Sequence, residues 1–148
     1  MRRDDMREYP APDPPVVLVV DDDPAVAEVA STYLERQLQS VETITETSAT
    51  AALERLDDAS IDCLVSDYRM PGLDGLELYD RVTERRPDLP FILFTSVGHE
   101  EVQRRAMDEG IEAFVEKDGG KGTFDTLTTH VRQVTIDGPG GASTATGM

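Results

Sequence analysis

Ile61-Asp62-Cys63-Leu64-Val65-Ser66-Asp67-Tyr68-Arg69-Met70-Pro71-Gly72-Leu73-Asp74-Gly75 carries an apolar run that ends on one carboxylate, Asp67. A Pro-Gly turn follows, and then an Asp-Gly pair suited to opening a helix. Ile61, Leu64 and Val65 read as a strand buried on both faces. Asp67 therefore stands at the carboxyl end of that strand, the rim on which open α/β sheets bind their ligands. An Asp at a strand end is by itself an ordinary turn former, so the rest of the chain has to supply matching chemistry.

Working outward, the apolar run repeats at intervals. Val16 to Val20 forms a β-branched strand stopped by Asp21-Asp22-Asp23-Pro24, with Asp23 placed as an N-cap and Pro24 in the first turn of a helix. Val26, Val29, Tyr33 and Leu34 share one face of that helix. Val41 to Thr45 alternates as a second strand. Thr47 or Ser48 caps the next helix, with Ala49, Ala52, Leu53 and Leu56 inward. After Asp67, Leu76, Tyr79 and Val82 mark a helix closed by Pro87, and Phe91 to Phe94 a fourth strand ending at Thr95-Ser96. Glu100 to Asp108 is helical, with Gly110 past its end. Ala113 to Val115 is a fifth strand ending at Glu116-Lys117, and Phe124, Leu127, Val131 and Val134 line a last helix. Five strands alternating with five helices predict an α/β fold, a doubly wound parallel five-stranded sheet with helices on both faces.

This folded unit spans residues 16–134. Residues 1–15, punctuated by Pro10, Pro12, Pro14 and Pro15, read as a disordered arm, and the Gly-, Ser- and Thr-rich residues 135–148 as a flexible tail or linker.

Composition narrows the function. The 30 acidic residues against 14 basic ones give a net charge of −16, which disfavours direct nucleic-acid binding through this domain. No apolar stretch is long enough for a membrane span, and no signal peptide is legible. The expectation is a cytoplasmic protein, and its acidity suits a high-salt cytoplasm such as that of a halophilic source. The lone cysteine, Cys63, forms no internal disulfide and reads as core packing. Lysine occurs only as Lys117 and Lys121. His99 reads as an exposed residue past the fourth strand, and His130 as surface or packing.

Parallel strands present their carboxyl ends on one side, so Asp21, Asp22, Asp67, Thr95, Ser96 and Lys117 converge whatever the strand order. Clustered carboxylates repel, and a hard divalent cation, best Mg²⁺, removes that conflict. A carboxylate beside such an ion can act as nucleophile toward a phosphoryl group, with the ion, the hydroxyl and the lysine sharing its charge.

Val19-Val20-Asp21-Asp22-Asp23-Pro24, Ser66 to Gly75, Phe94-Thr95-Ser96 and Phe114-Val115-Glu116-Lys117 together resemble the receiver domain of two-component response regulators. The resemblance implies a flavodoxin-like fold and a phosphoacceptor role for Asp67. It implies a Mg²⁺ site made of Asp67 itself, Asp22 as a direct ligand, Asp21 as a ligand through water, and Arg69 as donor of a backbone carbonyl to the ion. Thr95 and Lys117 would take phosphate oxygens, Ser96 would leave access open, and Phe114 would follow Thr95 in a conformational switch. The implied partners are a sensor histidine kinase or phosphotransfer protein and a downstream protein, with a homodimer as an option. Such a domain assists its own phosphorylation without turning over an external substrate.

One departure stands out: Asp118-Gly119-Gly120 follows the lysine where the family usually has a cis proline, so the loop before the last helix is expected to be reshaped. Four alternatives remain beside the stand-alone phosphorylation switch. A degenerate receiver would bind partners without phosphorylation, and the chain could be the receiver piece of a longer regulator or hybrid kinase. A flavodoxin-like cofactor binder would need a Ser/Thr/Gly-rich first loop, where three aspartates would repel FMN phosphate. A metal-dependent phosphohydrolase of the haloacid-dehalogenase type would need a second Asp where Arg69 stands.

Overall fold

A computed structural model describes residues 14–96, 100–117 and 121–136, without the side chain of Lys121. Within them five strands alternate with five helices: β1 Val16–Val20, α1 Pro24–Gln37, β2 Glu42–Glu46, α2 Ala49–Asp58, β3 Cys63–Ser66, α3 Gly75–Arg85, β4 Phe91–Thr95, α4 Glu100–Glu109, β5 Ala113–Glu116 and α5 Lys121–Thr135. The strands form one parallel sheet in the order β2-β1-β3-β4-β5. The chain thus winds outward from β1 in one direction to β2 and in the other from β3 to β5, so the winding reverses between β1 and β3. This is the predicted doubly wound sheet.

Strand periodicity divides the core in two. Leu18, Val20, Leu64, Phe91 and Leu93 face α2, α3 and α4, whereas Val17, Val19, Val65, Ile92 and Phe94 face α1 and α5. Every residue of β3 and β4 is buried, which explains why those strands read as unbroken apolar runs. β2 lies on the edge and keeps its Glu and Thr residues partly in water. It begins one residue later than the alternation suggested, because Val41 is spent in the core beneath α1.

Local signals set the helix boundaries. Asp23 accepts from Ala25 N ahead of Pro24, and Ser48, rather than Thr47, accepts from Ala51 N. Asp74 and Glu77 form a reciprocal capping box at the start of α3. Gly110, at φ +100°, ends α4 while Ile111 N reaches back to Ala106 O.

The α1 stripe is a correction. Ala27, Ala30 and Leu34 are its buried residues, and Val29 is 52% exposed. The helix turns its small residues to the sheet, about one residue away in phase from the bulkier set that hydropathy favours. Tyr33 instead lies half-buried against the Phe124 ring, with its hydroxyl donating to Asp125. The α2 and α3 stripes lie as expected, with Tyr79 packed at the core margin. On α5 Leu127 and Val131 are buried and Phe124 and Val134 partly so.

Cys63 is wholly buried, and burial pushes its thiol well above the ordinary range. No helix among the described residues is long and apolar enough to cross a membrane. The arm 1–13, the tail 137–148, His99 and the Asp118-Gly119-Gly120 departure lie outside the described residues.

Candidate functional site

The site is built where the sheet reverses its winding. β1 and β3 are adjacent there, and a crevice opens beyond their carboxyl ends. Asp21 leaves β1 held by its own amide, which donates to Glu46 O (3.1 Å), and Asp67 leaves β3 with its amide on Val20 O (2.9 Å). Ladder bonds thus fix both carboxylates from below. Asp22, on the exposed side, completes a cluster in which one carboxylate oxygen from each of Asp21, Asp22 and Asp67 lies within 4.8 Å of the others.

Asp21 is only 4% exposed, and both its oxygens are engaged. Oδ1 accepts from Asp23 N at 2.9 Å, and Oδ2 accepts from Lys117 Nζ at 2.6 Å. Asp67 Oδ1 accepts from Tyr68 N at 2.8 Å, while its Oδ2 lies 3.7 Å from Lys117 Nζ. Among the described residues, the Lys117 ammonium, beside Asp21 and Asp67, thus stands against a cluster of three carboxylates, which leaves an excess of negative charge in a partly desolvated cleft. A divalent cation fits that excess, and the donors are all hard oxygens.

The remaining groups arrive on β4 and β5. Thr95 ends β4 fully buried, with Ser96 exposed beside it. Lys117 follows β5, and its amide donates to Thr95 O at 2.8 Å, which ties the two strand ends together. Phe114 pairs with Leu93 and shares its face, and by strand alternation Thr95 points to that face too. Arg69 is exposed in an open groove that continues from the acidic cluster, lined by Asp22, Tyr68, Arg69, Met70, Pro71 and Asp74. Every site residue expected from the sequence thus lies at this rim or on the sheet beside it.

Two contributors were not legible beforehand. Gly75 opens α3 so close to the Asp67 loop that a Cβ there would lie 2.5 Å from Asp67 O and 2.8 Å from Leu93 Cδ2. Its amide donates to Tyr68 O, and Ser66 Oγ donates to Asp67 O, so the segment after β3 is pinned from both sides. The only signal in the sequence is the Asp-Gly pair, which marks a helix start but says nothing of a close approach. The second is Phe94, whose ring lies under Lys117 Nζ at 5.4 Å. That contact depends on β4 lying next to β5.

Residues 17–131 match the response regulator receiver domain. The chain belongs to that family.

Among its relatives, the transcriptional regulatory protein FixJ of Bradyrhizobium diazoefficiens is 35% identical over 101 residues, covering 68% of this chain and 48% of FixJ. The C4-dicarboxylate transport transcriptional regulatory protein DctD of Rhizobium meliloti is 35% identical over 103 residues, 70% of this chain and 22% of DctD. The receiver domain thus spans about half or less of these relatives. The Francisella response regulator 1452 receiver domain superposes with a TM-score of 0.71 at 25% identity, over 80% of this chain and 93% of that one. The receiver domain of HemR from Leptospira biflexa gives 0.72 at 21% identity, over 82% and 94%, a likeness of fold. The chain is therefore a response regulator receiver domain of two-component signal transduction.

Proposed function

We propose that this receiver domain is phosphorylated on Asp67 by a sensor histidine kinase or a phosphotransfer protein, and that the modification switches its binding to a downstream protein. The observation that carries the reading is the placement of Asp67, beside Asp21, Asp22 and Lys117, at the reversal point of the sheet.

Asp67 Oδ1 is held by the Tyr68 amide, which leaves Oδ2, turned toward Lys117, as the nucleophilic oxygen. It would attack phosphorus as the P–N bond of a phosphohistidine breaks, and the departing imidazole nitrogen keeps the electron pair and takes a proton. Asp22 directly, Asp21 through water and the Arg69 carbonyl would hold Mg²⁺, which when bound neutralises charge on the phosphoryl oxygens. Lys117 would move from Asp21 onto one of those oxygens, and the Thr95 hydroxyl would take another. Exposed Ser96 leaves room for the donor. Because Thr95 and Phe114 share a face, reorientation of Thr95 would release space for Phe114 and carry the change to the outer side of β5.

The chain acts as a phosphoacceptor in this reading, not as a turnover enzyme, and works in the cytoplasm with its kinase. Its net charge of −16 argues for a protein partner over direct contact with nucleic acid. The test is intact mass after incubation with Mg²⁺ and acetyl phosphate in high salt, beside Asp67→Ala. The expected result is a labile gain of one phosphoryl group, absent in the variant and with EDTA. No gain in the wild type would sink the reading and favour a phosphorylation-independent binding module.

A further inference from the structure

Lys117 Nζ has three close neighbours. Asp21 Oδ2 lies 2.6 Å from its ammonium, Asp67 Oδ2 lies 3.7 Å away, and the face of Phe94 lies 5.4 Å from it. The two carboxylates draw the charge toward the metal cluster. The ring lies in the core beneath α1 and α5, the face to which strand alternation also assigns Asp21, Asp67 and Lys117. It is itself held in an aromatic row: Phe94 meets Phe124 edge-on at 5.7 Å, and Phe124 meets Tyr33 at 5.4 Å, whose hydroxyl is on Asp125. The ring under Lys117 is therefore fixed from behind by both helices of that face.

From this we infer that Phe94 is a positioning residue for the phosphoryl transfer, acting through Lys117; the inference rests on the Asp67 reading above. An ammonium over an aromatic face is attracted by the ring quadrupole, the more so where water is excluded. A lysine stem is flexible, and each free rotamer lost before the reaction is one that need not be lost during it. Phe94 gives the ammonium a contact besides the two carboxylates and so restricts the Lys117 stem to the geometry that holds Nζ 3.7 Å from Asp67 Oδ2. An aliphatic residue would keep the position apolar without that attraction.

With only two lysines in the chain, ¹³C-lysine labelling gives a spectrum of two Cε signals. A ring face shields protons above it, so the Lys117 Hε resonances, assigned by Lys121→Arg, are expected upfield of the random-coil lysine position in EDTA. Phe94→Leu should remove the shielding and slow phosphorylation by acetyl phosphate roughly threefold to tenfold. Phe94→Tyr should retain both. Phe91→Leu serves as the size-matched control: Phe91 is equally buried but on the opposite face, edge-on to Tyr79. It should lower stability without moving the Lys117 signal or the rate. An unshielded Lys117 in the wild type, an unchanged rate in Phe94→Leu, or an equal loss in Phe91→Leu would overturn the inference. A wild type that gains no phosphoryl group overturns the Asp67 reading and the positioning role with it. In that case shielding that still depends on Phe94 would show the fault to lie in the chemistry assigned to Asp67, not in the contact.

Discussion

Lys117 Nζ binds Asp21 Oδ2 at 2.6 Å and stands off Asp67 Oδ2 at 3.7 Å. The lysine is thus the counterion of a metal-cluster carboxylate more than of the phosphoacceptor. A cation entering beside Asp21 has to compete with this ammonium, both for the oxygen and through charge repulsion. Lys117→Met should therefore bind Mg²⁺ more tightly, by about threefold to tenfold, as measured by calorimetric titration at low salt. Phosphorylation by acetyl phosphate should nevertheless fall, because the charge that meets the phosphoryl oxygens is gone. Weaker Mg²⁺ binding in the variant would contradict the competition.

Asp22 tests the other half of that balance. It is the exposed member of three carboxylates whose nearest oxygens lie within 4.8 Å. Without a cation their mutual repulsion opposes folding, weakened at Asp22 by solvent screening. Asp22→Asn should raise the melting temperature in EDTA by a few degrees, equivalent to about 0.5–1 kcal/mol. The further rise that Mg²⁺ gives the wild type should largely disappear, since stabilisation by a ligand scales with its affinity. Scans with and without Mg²⁺ at low salt measure both effects. An undiminished Mg²⁺ response would remove Asp22 from the metal site.

Cys63 offers a chemical probe of the core. It is inaccessible, and burial holds its thiol well above the ordinary range, so neither thiolate nor a path for reagent is available in the folded state. Alkylation by iodoacetamide at about pH 8 should be negligible in the native domain and complete in denaturant, with a native rate set by opening of the fold. Stoichiometric labelling within minutes under native conditions would show that β3 is not the central strand described here.

The sequence was legible where burial was two-sided. β1, β3 and β4 read as continuous apolar runs because both faces of the sheet are covered, and their carboxyl ends had to meet at one rim whatever their order. This is why Asp21, Asp22, Asp67, Thr95 and Lys117 can be identified from the sequence. The phase of α1 was not: Ala27 and Ala30 carry too little hydropathy to outvote Val26 and Val29, and only packing against Val17 and Val19 decides between them. The preference of Lys117 for Asp21 depends on distances of an ångström, and its contact with Phe94 depends on which strand neighbours which. Neither leaves a trace in spacing or composition.

Gly75 carries the sharpest steric prediction. Its absent side chain lets the start of α3 pass over the backbone that leaves β3, where an added Cβ would meet Asp67 O at 2.5 Å, Leu93 Cδ2 at 2.8 Å and Tyr68 Cα at 3.0 Å. Two of these three atoms belong to the backbone and cannot swing aside. They also belong to the segment that aims Asp67, whose position is fixed by Val20 O behind it and by Gly75 N and Ser66 Oγ around it. Gly75→Ala should cost about 1–3 kcal/mol, as overpacked sites do, against the small gain that alanine normally brings to a helix. Relief of the clash would push the Asp67 carbonyl outward and widen the carboxylate cluster. Mg²⁺ affinity should therefore drop along with stability, which separates this variant from a simple core defect. Denaturant unfolding with and without Mg²⁺ reads both quantities. A Gly75→Ala protein as stable as the wild type, with its Mg²⁺ response intact, would mean that the helix and the loop do not approach as closely as the 2.5 Å contact requires.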